Sequence, residues 1–235
     1  MKLYATHVPL TAMQRAALAV GAAVVAAARP ERADLVAAVG ETTEFGALAA
    51  IRRRMLESDE GRAVLNHRPQ VTDATLAHVD ALPETSFGGA YARFMRRRGF
   101  APHERPPVRF VDDAELAYVA QRYREVHDLW HVLFACPTTL LGELALKAVE
   151  YQQTGLPMCA LAVAGGATGL GWRDRALLAA HYVPWAARAS AVPTLPHLMS
   201  VYYERHWDED LEALRARWGV IPCPRKRDFP FKQPA

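Results

Sequence analysis

The stretch RYREVHDLWHVLFACPTTLLGELALKAVEYQQ, residues 122–153, decides how the chain is read. From just upstream, Leu116, Val119, Tyr123, Val126, Trp130 and Leu133 step by three and four, the spacing of a helix that turns one face to a core. At about 100° per residue, His127, Asp128 and His131 fall within an arc of roughly 100° on the shoulder of that stripe. A proline ring cannot sit against a preceding helical turn, so Pro137 separates a helix over 113–135 from a second over about 139–153.

His131 lies six residues before Pro137 and Glu143 lies six after it. If the two arms fold back as an antiparallel hairpin, six residues cover about 9 Å each way and return Glu143 to the level of His131. His127, Asp128, His131 and Glu143 then make a candidate divalent-metal site, partly buried beside the core stripe. Nitrogen and oxygen donors without cysteine leave zinc, manganese, iron, cobalt and nickel open. Such a donor set favours a site that keeps a position for water or substrate. The plainer reading is that an HxxxH pair on a helix is a surface or core pair, which is the commoner case. On the second arm, Lys147 can pair with Glu143 or Glu150, and Glu150 can instead steady a histidine from behind.

Half of the 235 residues are apolar and about a quarter charged, an ordinary globular composition. A formal net charge of +3 is too small to argue for nucleic acid. The runs Arg52-Arg53-Arg54 and Arg96-Arg97-Arg98 suit a solvated helix face or anionic lipid headgroups. Cys136, Cys159 and Cys223 stand in no metal or redox spacing, which argues against a disulfide framework and for a reducing compartment. Cys136 can reach the site as an extra ligand or serve as a buried, inert thiol.

The most apolar run, residues 16–28, is shorter than the roughly 20 residues a spanning helix needs. The first thirty residues contain no acid and are rich in alanine, with Arg15 and Arg29, as mitochondrial presequences are.

Further helices are expected over 10–28, ended by Pro30, and over 44–57, 59–66, 73–79 and 88–98. Thr72 and Ser86 cap the last two. Residues 99–108, with three prolines, read as a loop. Asp112 with Glu115 looks like a capping box for the long helix. Residues 154–171 are small and apolar and include Gly165-Gly166, with neither a phosphate-loop nor a dinucleotide-binding pattern. They suit a short helix over 157–164 with a close-packed turn, or space for a long apolar ligand. Helices over 172–190 and 195–217 follow. No segment alternates with period two for long enough to make a strand. The expected fold is all-α: a single helical domain over 1–221, with a metal site on an antiparallel helix pair. The proline-rich basic tail 222–235 is expected to be mobile.

HDLWH followed by eleven residues and Glu143 resembles the HDxxH-x11-E signature of the coenzyme Q (ubiquinone) biosynthesis protein Coq-four family. So do LYATHVPLT from residue 3, AAVGETT at 37–43, RFVDDAELAYVAQRYREVHD at 109–128 and TGLPMCALA at 154–162. VPWA at 183–186 and VYYERHWDEDLEALRARWGV at 201–220 extend the likeness to nearly the whole chain. Because it begins at residue 3, the alanine-rich start is expected to belong to the folded body.

The resemblance implies a carboxy-lyase of ubiquinone synthesis, removing the C1 carboxylate of 4-hydroxy-3-methoxy-5-polyprenylbenzoate, in some descriptions with hydroxylation at the same carbon. It also implies a role in organising the biosynthetic proteins into a complex. The place expected is the matrix side of the mitochondrial inner membrane, as a peripheral protein, or the cytoplasmic membrane face in a bacterium. Zinc is the expected ion, with iron or manganese as alternatives. The expected partners are the polyprenylated benzoate, other ubiquinone-biosynthesis proteins, the membrane surface and further copies of the chain. Residues 16–28 and 154–171 are the segments expected to face lipid. The rival class is a non-catalytic lipid-binding scaffold in which the metal only pins two helices.

Overall fold

The computed structural model describes residues 2–28 and 33–229. From the N-terminus the helices are α1 (Ala12–Ala28), α2 (Ala33–Thr43), α3 (Phe45–Leu56), α4 (Asp59–His67), α5 (Asp73–Val79) and α6 (Phe87–Arg98). Then come α7 (Ala114–Leu133), α8 (Leu140–Thr154) and α9 (Pro157–Gly166). α10 (Trp172–Leu177) runs through a π-helical turn, Leu178–Tyr182, into α11 (Val183–Ser190), and α12 (Leu211–Trp218) follows. Among the described residues there is no strand, only an isolated bridge between Ser86 and Asp210. The fold is a single all-α domain. The expected end of the first helix at Pro30 lies outside the described residues.

Local chemistry sets many of the boundaries. The hydroxyls of Thr72, Ser86 and Thr139 accept the amides of Thr75, Gly89 and Gly142, opening α5, α6 and α8. α7 forms the centre: every residue of the stripe from Leu116 to Leu133 is buried. α3 and α6 pack on it. Trp130 donates its indole N–H to the Tyr203 hydroxyl at 2.7 Å. Arg122, fully buried, makes two bonds to Glu204, at 2.6 and 2.8 Å. Tyr203 and Glu204 therefore lock the chain after residue 200 onto α7.

Several expectations need correcting. Asp113, not Asp112, caps α7: its extended backbone lets the carboxylate accept the amides of Glu115 and Leu116. Asp112 instead holds the N-terminal segment through His7 and Arg15. α7 stops before Pro137, in a reverse turn at Ala135, whose φ is 53°. There the amides of Ala135 and Cys136 return to the carbonyls of Val132 and His131.

α2 was not expected; it packs against α1, and tertiary contact outweighs the poor helix propensity of its Val, Gly and Thr residues. The expected helix over 195–217 is two short 3-10 turns, Leu198–Ser200 and Tyr203–Arg205, followed by α12. The reason is that the carbonyls of Trp207 and Glu209 accept the amides of Gly88 and Phe87, which have no partner within the first turn of α6.

Both basic runs are largely engaged within the fold: Arg52 with Glu115, Arg54 with the Gln153 carbonyl, Arg96 with Asp80 and Arg98 with Thr138. The tail is held as far as Phe229. Cys223 donates its amide to the Phe134 carbonyl at 2.7 Å, and Phe229 stacks on His181 at 4.0 Å between ring centroids. Residues 230–235 lie outside the described residues.

Candidate metal centre

α7 and α8 run in opposite directions, with Tyr123 meeting Lys147 and Glu150 while His131 meets Glu143. Their joining turn depends on Gly142, where any Cβ would collide with the carbonyl oxygen of Pro137. That close approach starts α8 so that the next residue, Glu143, faces α7. One carboxylate oxygen of Glu143 lies 3.1 Å from His131 Nε2 and the other 3.6 Å from His127 Nε2. The three residues offer donor atoms within 4.8 Å of one another.

The back of each imidazole shows why these nitrogens are available. His131 Nδ1 lies 3.1 Å from the Cys136 carbonyl, which can only accept, so that nitrogen carries the proton and Nε2 keeps a lone pair. His131 Nε2 is buried and has no hydrogen-bond partner, because the nearby Glu143 oxygen lies outside hydrogen-bonding geometry. His127 Nδ1 lies 2.8 Å from Glu150, a fully buried carboxylate that also receives Lys147 and the Tyr123 hydroxyl. His127 Nε2 is thereby turned to the front as well. Phe94 stacks on His131 at 5.5 Å and is itself covered by the Arg98 guanidinium at 3.8 Å, which fixes the ring.

Two lone pairs facing a carboxylate call for a cation between them. The donor set, the forced tautomers and the orphaned nitrogen of His131 all fit a divalent metal ion. Without a cation, the same surroundings draw positive charge to this point as a proton on the imidazole, which a bound metal would displace. Burial and Lys147 oppose a charge on His127, yet Glu150 and Glu143 outweigh them and raise its pKa to about 9. Burial pushes the Glu143 carboxyl up, but the two imidazoles hold it well below the usual carboxylate range.

Asp128, the fourth expected ligand, is not part of this group. Its carboxylate accepts a 2.8 Å bond from Arg105, which also donates to the Tyr91 hydroxyl and the Val71 carbonyl. Arg105 comes from the loop over 99–108, and no periodicity in the sequence could have placed it there. Glu150 takes the supporting role, and Lys147 pairs with it rather than with Glu143. The Cys136 thiol is not a donor to the site. It meets Cys223, and only the Cys136 carbonyl serves the centre.

The centre opens on a cavity of about 460 Å³ lined by His127, Asp128 and Glu143. Leu48, Ala120, Leu156 and Met158 supply apolar wall, while Lys147, Arg105 and Arg124 supply positive charge. Glu41 and Glu44, at the end of α2 and the start of α3, form part of the rim. Neither was singled out from the sequence, since nothing in their spacing relates them to α7. Gly166 of α9 packs directly on Leu144, leaving no room for a side chain there. The small residues of that segment therefore serve close packing at that point.

Fold and donor set together define an all-α protein with two histidines and a glutamate at one end of a mixed polar and apolar cavity. The family profile of coenzyme Q (ubiquinone) biosynthesis protein Coq4 matches residues 4–224. The chain belongs to that family of ubiquinone-biosynthesis proteins. It is 42% identical over 224 residues to the human ubiquinone biosynthesis protein COQ4 homolog, mitochondrial, covering 94% of this chain and 84% of that one. It is 47% identical over 216 residues to COQ4 homolog 1, mitochondrial, of Culex quinquefasciatus, covering 91% and 78%. A crystal structure from Nostoc punctiforme superposes with a TM-score of 0.69 at 22% identity, covering 87% of this chain and 98% of that one; this likeness supports the fold alone.

Proposed function

We propose that this protein removes the C1 carboxylate of a 4-hydroxy-3-methoxy-5-polyprenylbenzoate at the His127–His131–Glu143 centre. The observation that carries the reading is the pair of forced Nε2 lone pairs meeting one carboxylate beside a cavity that holds both cations and apolar wall. A divalent cation held by these three residues supplies Lewis acidity toward a carboxylate or phenolate oxygen. For Asp128 to serve as a fourth ligand, it has to release Arg105.

The chain's own groups provide the rest. The Lys147 ammonium, anchored by Glu150 and Tyr123 at 2.7 and 3.0 Å, presents positive charge to an anionic ring substituent. Leu48, Leu156 and Met158 hold the ring and exclude water. The polyprenyl tail requires an apolar exit. Among the described residues no helix is long and apolar enough to cross a membrane. α1 exposes Met13, Val20 and Val24, and α9 exposes Leu161, side chains suited to a peripheral lipid contact. The place proposed is the matrix side of the mitochondrial inner membrane, or the equivalent bacterial face, in company with other enzymes of the pathway.

The test is elemental analysis of the purified protein, followed by turnover of the prenylated acid with defined metal. Zinc, iron and manganese are compared in the same assay. His127→Ala and Glu143→Ala should each lose both metal and turnover while remaining folded. Full activity in a metal-free variant removes the mechanism. Variants that lose stability and complex assembly together, beside a wild type that never releases CO2, favour a scaffold whose metal only pins α7 to α8.

A further inference from the structure

We propose that Glu44 is the general acid that protonates the ring carbon as it loses its carboxylate, an assignment that rests on the decarboxylase reading above. Glu44 occupies the N-cap position of α3, yet its side chain makes no capping bond there. It crosses instead to α9, where Oε1 accepts the Met158 amide at 2.7 Å. The other oxygen folds back over Gly40, where a Cβ would stand 2.8 Å from Oε2 and 3.1 Å from Met158 Sδ. Only glycine leaves that slot open. Glu44 is 4% exposed and lines the cavity together with His127, Glu143 and Lys147.

Its surroundings suit a proton donor. Burial pushes the carboxyl above its ordinary pKa, against the lowering effect of the Met158 amide, Lys147 and Arg124. The step balances without an oxidant. The Glu44 proton adds to C1 as the para oxygen releases electron density into the ring. The bond from C1 to the carboxylate then breaks, its electron pair restores the aromatic ring, and CO2 leaves. The Glu44 carboxylate regains a proton from water.

A purely structural role is the competing explanation, because Met158 sits in the first turn of α9 and Leu156 offers no side-chain acceptor. Glu44→Gln separates the two roles, since an amide oxygen still accepts the Met158 N–H but the side chain has no acidic proton to give. Expected is a variant with wild-type melting temperature and metal content and at least a ~100-fold loss of CO2 release. Independently of turnover, infrared differences between wild type and E44Q taken through a pH titration should show the Glu44 carboxyl band appearing above the pH at which a free carboxylate protonates. Absence of that band overturns the acid role.

Wild-type turnover in E44Q overturns the acid role and leaves the decarboxylase reading standing. A metal-loaded wild type that releases no CO2 overturns both. Should E44Q lose its fold or metal, Glu44→Ala decides: turnover restored in proportion to added acetate supports the assignment, and no restoration overturns it.

Discussion

Glu150 does not line the cavity, yet it decides which nitrogen of His127 faces Glu143. A carboxylate behind a ligating histidine fixes the tautomer and raises basicity, and its loss typically costs 10–100-fold in metal affinity. Glu150→Gln should weaken metal binding by about that factor and destabilise the fold by about 3 kcal/mol, since Lys147 keeps its charge without a counter-charge. Calorimetric metal titration and thermal melting check the two effects separately; unchanged affinity removes Glu150 from the centre. His131 needs no such carboxylate. The turn that ends α7 delivers the Cys136 carbonyl to its Nδ1. One residue pattern thus gave two histidines four apart, and the fold gave each a different rear support.

At the scale of the element, the register between α7 and α8 depends on a glycine that touches no donor atom. Adding a methyl group at Gly142 forces the start of α8 away from Pro137. Overpacking of this kind costs about 1–3 kcal/mol. Gly142→Ala should lower the melting temperature accordingly and also weaken metal binding, because Glu143 moves with the helix. A variant that is less stable but binds metal normally separates the turn from the site. The symmetric six-and-six spacing about Pro137 anticipated the return of Glu143 to His131. It did not reveal that α7 stops earlier, at the left-handed Ala135, because an alanine in that conformation leaves no mark in the pattern.

At the scale of the molecule, buried polar groups tie distant segments together and give stability a pH dependence. His197 joins the end of α8 to the segment after α11, with Nε2 3.2 Å from the Gln153 carbonyl and Nδ1 2.8 Å from the Ser200 hydroxyl. Burial first, and Arg54 second, lower its pKa to about 4. A neutral imidazole in the fold is fully stabilising above the unfolded pKa of about 6.5. That contribution is lost as pH falls from about 6.5 to 4, and amounts to about 3 kcal/mol at most. Urea midpoints at pH 7.5 and 4.5 should differ more in the wild type than in His197→Gln. Equal differences exclude His197 as the source.

The sequence by itself determined the all-α class, the caps of α5 and α6 and the three residues of the candidate centre, because capping and helical spacing act over a few neighbouring residues. It was also sufficient for family membership. Only the tertiary structure decided that Asp128 goes to Arg105, that Glu150 stands behind His127, and that Glu41 and Glu44 close the cavity. It also broke the expected last helix, where backbone carbonyls are taken by α6. These outcomes depend on groups from segments distant in the chain competing for the same donors and the same space. Local periodicity carries no information about that competition.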